Sequence, residues 1–121
     1  MAKNIVVEKS LEFSIEIIKF CEKLDENRKY VISKQLLRSG TAIGANIFES
    51  QHAESRLDFI HKLKVALKEA NETLYWLSIC EKAASYPPIG SLRVLVEELI
   101  RIVSKIIVTA KKKLKTENHK I

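Results

Sequence analysis

The sequence has 121 residues, 46% of them hydrophobic, and carries 21 Lys and Arg against 15 Asp and Glu, a formal net charge of +6. This length predicts a single domain over residues 1–121, because a second hydrophobic core would need a longer chain. The apolar content is too high for a disordered chain, and three Gly and two Pro are too few for a fold with many tight turns. The composition therefore favours long helices.

The first two helices are predicted at residues 8–24 and 30–53, separated by a short polar break. Each has two neighbouring apolar stripes. The first helix has Phe13, Ile17, Phe20 and Leu24 beside Leu11, Ile15 and Ile18, and the second has Leu36, Gly40, Ile43 and Ile47 beside Leu37, Gly44 and Phe48. Glycine costs a helix about 1 kcal/mol relative to alanine. We therefore expect a neighbouring helix to approach closely at Gly40 and Gly44.

The last two helices are predicted at residues 55–84 and 92–115. Ser55 is a suitable N-cap for the third helix, with Asp58 three residues later. The third helix has the clearest apolar periodicity of the chain, formed by Ile60, Leu63, Leu67, Ala70, Leu74 and Leu77. Pro87 and Pro88 end that helix region, because proline lacks an amide hydrogen, and Ser91 is expected to cap the fourth helix.

Four such helices predict an all-α fold, an antiparallel up-down-up-down four-helix bundle. The core of a bundle uses one face of each helix. The fourth helix is apolar around most of its circumference, and the first has a wide apolar face. This surplus predicts that copies of the chain cover each other as a homo-oligomer.

No feature of the sequence predicts export or a membrane span. The apolar run near the N-terminus has only three residues, too short for a signal peptide. The most apolar stretch, residues 92–110, is interrupted by charged residues that include Glu97, Glu98, Arg101 and Lys105. Cys21 and Cys80 lie within helical patterns without a paired spacing, which predicts two buried free thiols. We therefore expect a cytoplasmic protein that does not contact a membrane.

The positive charge is concentrated at one end of the chain. Residues 111–121 hold five lysines and one glutamate, a net charge of +4, which leaves +2 for residues 1–110. Lys111, Lys112, Lys113 and Lys115 have two interpretations: favourable cations at a helix C-terminus that runs into a solvated basic tail, or a patch that binds the phosphates of a nucleic acid. No aromatic residue interleaves these lysines, so we expect neither base stacking nor strong sequence specificity.

Two Glu-x-x-His-like pairs, Glu49 with His52 and Asp58 with His61, are reminiscent of the metal sites of helical bundles. A di-metal site also needs carboxylates from the other two helices, and the end of the fourth helix offers only lysines. The carboxylate set is therefore incomplete, and we predict no metal, no other cofactor, and two surface histidines.

No set of residues predicts an active site. Neither cysteine has a histidine nearby in the sequence, and no glycine-rich loop precedes a helix. Glu69 and Glu72 have the spacing of an acid–base pair, but we favour a structural role in which they accept hydrogen bonds from Arg38 or a neighbouring helix. The sequence thus predicts a protein that is not an enzyme.

Three segments, Gln35–Glu49, Asp58–Leu63 and Ala66–Leu77, carry a resemblance to a known family. They resemble the four-helix-bundle proteins encoded within intervening sequences of bacterial large-subunit ribosomal RNA genes. The resemblance is close over about a third of the chain, and it extends to the whole chain in the order and length of the helices.

This resemblance implies a bacterial four-helix bundle that assembles as a ring, commonly a pentamer, without known catalysis. A related branch serves as the accessory protein of diversity-generating retroelements, where a basic barrel of five subunits binds nucleic acid and the reverse transcriptase. The family's polar motif residues are expected to form hydrogen bonds within and between subunits. By position they correspond to Arg38, Asn46, Glu49, Asp58, Glu69 and Glu72. The sequence departs from the family at Phe48 and Ser50, where Ala and Gly are usual.

Two main hypotheses follow. The first is a non-enzymatic homo-oligomer that binds RNA or an RNA–protein complex through its basic surface. The second is a structural or protein-binding oligomeric scaffold without nucleic-acid binding. A metal-dependent bundle enzyme is a third and weaker alternative. Salt dependence separates the first two, because binding to phosphates weakens steeply with ionic strength.

Overall fold

The computed structural model describes residues 4–119, which form four helices and, within that range, no strand. The helices are α1, Ile5–Glu26; α2, Tyr30–Ser50; α3, Arg56–Lys82; and α4, Leu92–His119. Each helix contacts the next one along the chain, and α4 also contacts α1, which is consistent with the expected up-down-up-down bundle. Residues 1–3 and 120–121 of the predicted domain lie outside the described residues.

The helix boundaries follow the local capping chemistry. The helix α1 begins three residues earlier than predicted, because the side chain of Asn4 accepts a hydrogen bond from the Val7 amide. Ser55 caps α3 as predicted and accepts a hydrogen bond from the Asp58 amide at 3.0 Å. The helix α2 ends at Ser50 rather than residue 53, and α4 continues to His119 rather than residue 115. No Gly or Pro is present after residue 90 to end α4 earlier.

Contacts between the connections define the two ends of the bundle. At one end, Lys29 in the α1–α2 connection lies 3.3 Å from the Ser85 hydroxyl and 4.9 Å from the ring centroid of Tyr86, both in the α3–α4 connection. We call this the two-loop end. At the opposite end, which we call the C-terminal end of α4, Arg56 at the start of α3 pairs with Glu117 at 2.7 Å.

Both glycines of α2 lie against α1, as expected. A Cβ atom at Gly40 would be 2.9 Å from two carbons of the Ile17 side chain, and one at Gly44 would be 3.2 Å from the Ser14 hydroxyl oxygen. A larger residue at Gly40 would therefore push against a buried side chain of the core. The expected close approach of a neighbouring helix is confirmed.

The two cysteines are buried free thiols, as predicted. Cys21 donates a hydrogen bond to the Ser33 carbonyl at 3.4 Å, and the Ser33 hydroxyl donates one to the Cys21 carbonyl at 3.2 Å. Burial raises the pKa of Cys21 to about 11 and that of Cys80 to about 11. Both thiols therefore stay protonated near neutral pH.

The second apolar stripes of α1 and α2 are exposed. Leu11 is 62% exposed and Phe48 is 58% exposed, and both line an apolar groove between the two helices. We call the following exposed residues the apolar face: Leu11, Ile15, Ile18, Leu37 and Phe48. The expected surplus on α1 is confirmed.

The expected surplus on α4 is wrong. The residues that flank its buried stripe are partly buried against the core of their own chain, and these are Leu95, Ile100, Ile102, Ile106 and Leu114. The reason is that α4 packs against both α1 and α3, and its flanking stripes lie beside these neighbours. Large hydrophobic side chains exposed on the described part of α4 are limited to Val94 and Val108.

Candidate nucleic-acid interface

The four terminal lysines belong to the body of α4 and not to a solvated tail. Lys111, Lys112, Lys113 and Lys115 are all exposed. Because α4 continues to His119, these lysines precede its last turn, and the effect of the helix dipole falls off within that turn. Stabilisation of a helix C-terminus therefore explains them poorly, which favours the other interpretation, a surface for phosphates.

Two further cations extend this surface along α4. Arg101 and Lys105 are exposed. Positions 101, 105, 112 and 115 follow each other at intervals of four, seven and three residues, which places all four cations on one side of the helix. We call these four residues the cationic face. It extends from Arg101 to Lys115, 15 residues with a rise of about 21 Å along the helix. Arg101 and Lys105 are not among the predicted nucleic-acid-binding residues, although their helical spacing was an available signal.

The cationic face has no internal neutralisation among residues 4–119. None of its four side chains forms an ion pair there, whereas carboxylates elsewhere hold Lys9, Arg56 and Arg93. Lys111 directly precedes Lys112, which places it about 100° around the helix, beside the cationic face. Unpaired cations on one face create a positive potential that attracts polyanions.

A groove with an apolar floor adjoins the cationic face near the C-terminal end of α4. Phe59 of α3 and Ile102 and Ile106 of α4 form the floor, and the groove has a volume of about 420 Å³. Lys105 and Lys113, both exposed, also line it, so Lys113 belongs to this groove and Lys105 to both features. We call it the α3–α4 groove.

Three residues of the predicted polar motif meet between α2 and α3. Arg38 donates hydrogen bonds to Glu69, at 3.2 Å, and to Glu72. Trp76 donates its indole N–H to the same Glu72 oxygen at 3.1 Å. The Trp76 hydrogen bond and the Arg38 guanidinium lower the pKa of Glu72. The hydrogen bonds favoured for Glu69 and Glu72 over acid–base chemistry are therefore present.

The other three motif residues make separate contacts. Asn46 donates to the Ala42 carbonyl of its own helix at 2.9 Å. Glu49 is exposed and lies 3.9 Å from the Lys62 ammonium of α3. Asp58 accepts a hydrogen bond from the Glu54 amide at 3.2 Å, as part of the start of α3. These contacts lie within one chain, and the intersubunit role implied by the resemblance stays a prediction.

Both histidines of the Glu-x-x-His-like pairs are exposed, as expected. His52 packs against the Phe48 ring with a centroid distance of 5.4 Å. Within residues 4–119, no group of three or more His, Cys, Asp or Glu is placed to hold a metal ion. In the same range, no helix is long and apolar enough to cross a membrane.

The chain matches a family of proteins of the expected kind. The sequence model of the 23S rRNA-intervening sequence proteins matches residues 2–109, so the terminal lysines lie beyond the matched region. A similar crystal structure is that of a protein of unknown function from the S23 ribosomal protein family of Bacteroides thetaiotaomicron VPI-5482. It is 45% identical, covers 84% of this chain and 97% of its own, and superposes with a TM-score of 0.80.

No functionally curated protein matches the chain. The family match covers well over half of the residues, and the crystallised relative shares the fold over nearly its whole length. The chain is therefore a member of the 23S rRNA-intervening sequence protein family.

Proposed function

We propose that the protein is a non-enzymatic homo-oligomer of the bacterial cytoplasm that binds RNA, alone or in an RNA–protein complex, through the cationic face of α4. The observation that carries the proposal is a row of four exposed cations without an ion-pair partner among the described residues. Such a row attracts phosphates, and the release of counterions from the RNA makes binding favourable. The contacts would position RNA through its backbone and not read its sequence.

The apolar face supports assembly of several copies. Monomeric proteins rarely expose a large contiguous apolar patch, and this one includes Leu11 and Phe48, each more than half exposed. Covering it with another copy would remove this surface from water. The number of subunits, five, rests on the family resemblance. A ring would also present several cationic faces to one RNA and so raise its apparent affinity.

The state of the acidic and thiol groups supports a function without catalysis. Glu72 is engaged by Trp76 and Arg38, and its lowered pKa makes it a weak proton acceptor near neutral pH. Burial keeps Cys21 and Cys80 in the thiol form, whereas the thiolate is the nucleophile.

A salt titration tests RNA binding. A labelled single-stranded RNA of about 20 nucleotides is titrated with protein between about 50 and 200 mM KCl, and binding is followed by fluorescence anisotropy. The triple variant Lys105→Gln, Lys112→Gln and Lys115→Gln is expected to flatten the logarithmic salt slope by about 2 and to weaken binding.

A matched control removes the same charge from the two-loop end of the bundle. Lys23, Lys34 and Lys82 are exposed and lie within the five helix residues nearest to that end. Their replacement by glutamine is expected to leave the salt slope nearly unchanged. Equal effects of both triple variants would overturn the assignment to α4, and no binding to RNA at about 50 mM KCl would overturn the RNA function.

The apolar face by itself favours a second candidate, an oligomeric scaffold that binds a protein partner without nucleic acid. This candidate predicts an assembly whose composition does not change with ribonuclease treatment. The relation to retroelement accessory proteins rests on the resemblance, and the position of the gene beside a reverse transcriptase or within a ribosomal RNA operon tests it.

A further inference from the structure

The α3–α4 groove brings an aromatic ring to the lysines. No aromatic residue lies near Lys105 or Lys113 along the sequence, and on that basis we expected no base stacking. Phe59 comes from the first turn of α3, more than 40 positions earlier, and lines the same groove as these two lysines. The fold therefore supplies what the local sequence lacks.

We propose that the α3–α4 groove binds an unpaired nucleobase of single-stranded RNA, with the neighbouring phosphates at Lys105 and Lys113. The inference rests on the proposed RNA binding and specifies the class of RNA. A base inside a duplex is stacked between its neighbours and cannot enter a groove, whereas an unpaired base can turn out and pack on an aromatic or apolar surface.

The groove combines the two chemistries that a nucleotide presents. Its floor, Phe59, Ile102 and Ile106, offers apolar surface to the flat face of a base. Lys105 and Lys113 are eight residues apart on α4, about 12 Å along the helix, so one cation lies at the level of Ile102 and Ile106 and the other lies beyond them. Neither lysine forms an ion pair within residues 4–119.

The floor is fixed before binding. Phe59 is partly buried and packs against the hydrophobic core, so its ring loses little freedom when a ligand binds. Arg56, the other cation lining the groove, is held by Glu117 through contacts of 2.7 and 2.9 Å. A volume of about 420 Å³ suits a small planar group together with its adjoining sugar.

Continuity with the cationic face favours RNA over an acidic peptide. Lys105 lines the groove and also lies on the cationic face with Lys112 and Lys115. A strand with one base in the groove can continue along α4 and place further phosphates on these cations. An acidic peptide would need a carboxylate at every such position, whereas RNA carries a phosphate at each nucleotide.

Three ligands of equal length test the proposal with the full chain. They are a non-self-complementary single-stranded RNA of about 12 nucleotides, the same strand with its central bases removed, and a duplex of that sequence. The wild-type protein is expected to bind the intact single strand roughly 5- to 100-fold more tightly than the abasic strand. It is also expected to prefer the intact single strand to the duplex.

The variant Phe59→Leu keeps an apolar floor and removes the aromatic ring. It is expected to lose most of the preference for intact over abasic RNA while its affinity for the abasic strand and its salt slope stay the same. Tyr75→Leu is the matched control, because Tyr75 is an aromatic residue of α3 that is 62% exposed and outside the groove. It is expected to change neither quantity.

Photocrosslinking of the wild-type protein gives a readout that does not depend on a variant folding. RNA that contains 4-thiouridine is expected to crosslink within the segments that hold Phe59 and Ile102 to Ile106, as mapped by mass spectrometry. Crosslinks found only at other segments would overturn the proposal.

The outcomes separate this inference from the proposed function. Equal affinity for intact and abasic strands, or a preference for the duplex, would overturn the groove assignment and leave RNA binding in place. Failure to bind all three ligands at low salt would overturn both. Displacement of the crosslinked RNA by a short peptide of alternating Leu and Glu, at a lower concentration than by RNA, would assign the groove to a protein partner.

Discussion

The apolar face and the cationic face are both exposed, but one is apolar surface in contact with water and the other is positive charge without a paired carboxylate among the described residues. The apolar face on α1 and α2 presents large side chains such as Leu11 and Phe48, and the small residues between them leave an apolar groove. The cationic face on α4 presents Arg101, Lys105, Lys112 and Lys115, without a carboxylate partner among residues 4–119. One surface lacks cover from water, and the other lacks countercharge.

This difference indicates two kinds of partner. Covering apolar surface with any well-fitting apolar surface is favourable, and salt weakens such contacts little. Binding of phosphates to a row of cations is favourable, and its affinity falls steeply with salt concentration. The two faces can therefore be separated by variants and by ionic strength.

Reversing the charge of the cationic face should have the largest effect. The triple variant Lys105→Glu, Lys112→Glu and Lys115→Glu is expected to lose at least about 100-fold in RNA affinity near 0.1 M salt, because attraction becomes repulsion. Fluorescence anisotropy measures the loss. The particle mass should be unchanged, and a fall in mass would show that this face also joins subunits.

Placing charges on the apolar face should break assembly and leave the fold intact. The double variant Leu11→Glu and Phe48→Glu is expected to lower the mass measured by light scattering to the 13.8 kDa of a single chain. The control is Val94→Glu with Val108→Glu, on the helix whose expected apolar surplus proved wrong. A wild-type protein that is already a monomer at micromolar concentration would contradict the proposed homo-oligomer.

A methyl group in the seam between α1 and α2 tests the fold beneath the apolar face. Gly40→Ala is expected to lower the free energy of unfolding by about 1–2 kcal/mol, since crowding against Ile17 outweighs the better helix propensity of alanine. Urea denaturation measures this change. Gly44→Ala, whose Cβ would meet the Ser14 hydroxyl at 3.2 Å, should cost less, and the reverse order would contradict the packing described.

The smallest effect is expected at Glu72, which lies outside both faces. Its pKa is lowered in the folded protein, so its contribution to stability is present above its unfolded value of 4.5 and is lost as pH falls through the lower folded value. Arg38→Gln should therefore reduce the stability lost between about pH 7 and about pH 3.5. Urea unfolding followed by Trp76 fluorescence measures it, with Lys34→Gln as the charge-matched control.

Local signals gave most of the fold. Apolar periodicity predicted all four helices, Ser55 marked the start of α3, and two glycines predicted a close helix contact. The boundaries that differed depend on weaker signals, such as the cap formed by Asn4 and the lack of a breaker after residue 115. A short polar side chain caps a helix only where its backbone conformation lets it reach the amides of the first turn, and the sequence does not show that conformation.

The sites were harder to predict because they depend on distance between helices. The hydrogen bonds from Arg38 that we favoured for Glu69 and Glu72 are present, but nothing in the sequence marked the buried contact between the Thr73 and Ser39 hydroxyls at 2.9 Å. The meeting of Phe59 with the lysines of α4 was missed for the same reason. Periodicity shows which side of a helix is apolar, but not how much of that side its neighbours cover.

The two buried thiols allow the opening of the bundle to be measured. Folding raises the pKa of Cys21 and Cys80 to about 11, so alkaline solution favours the unfolded chain, and the stability they supply below pH 9 is lost as pH rises through 11. A thiol reagent can reach them only when α1 or α3 moves away from its neighbours. The rate of alkylation in the native protein therefore measures how often the helices separate, without any engineered label.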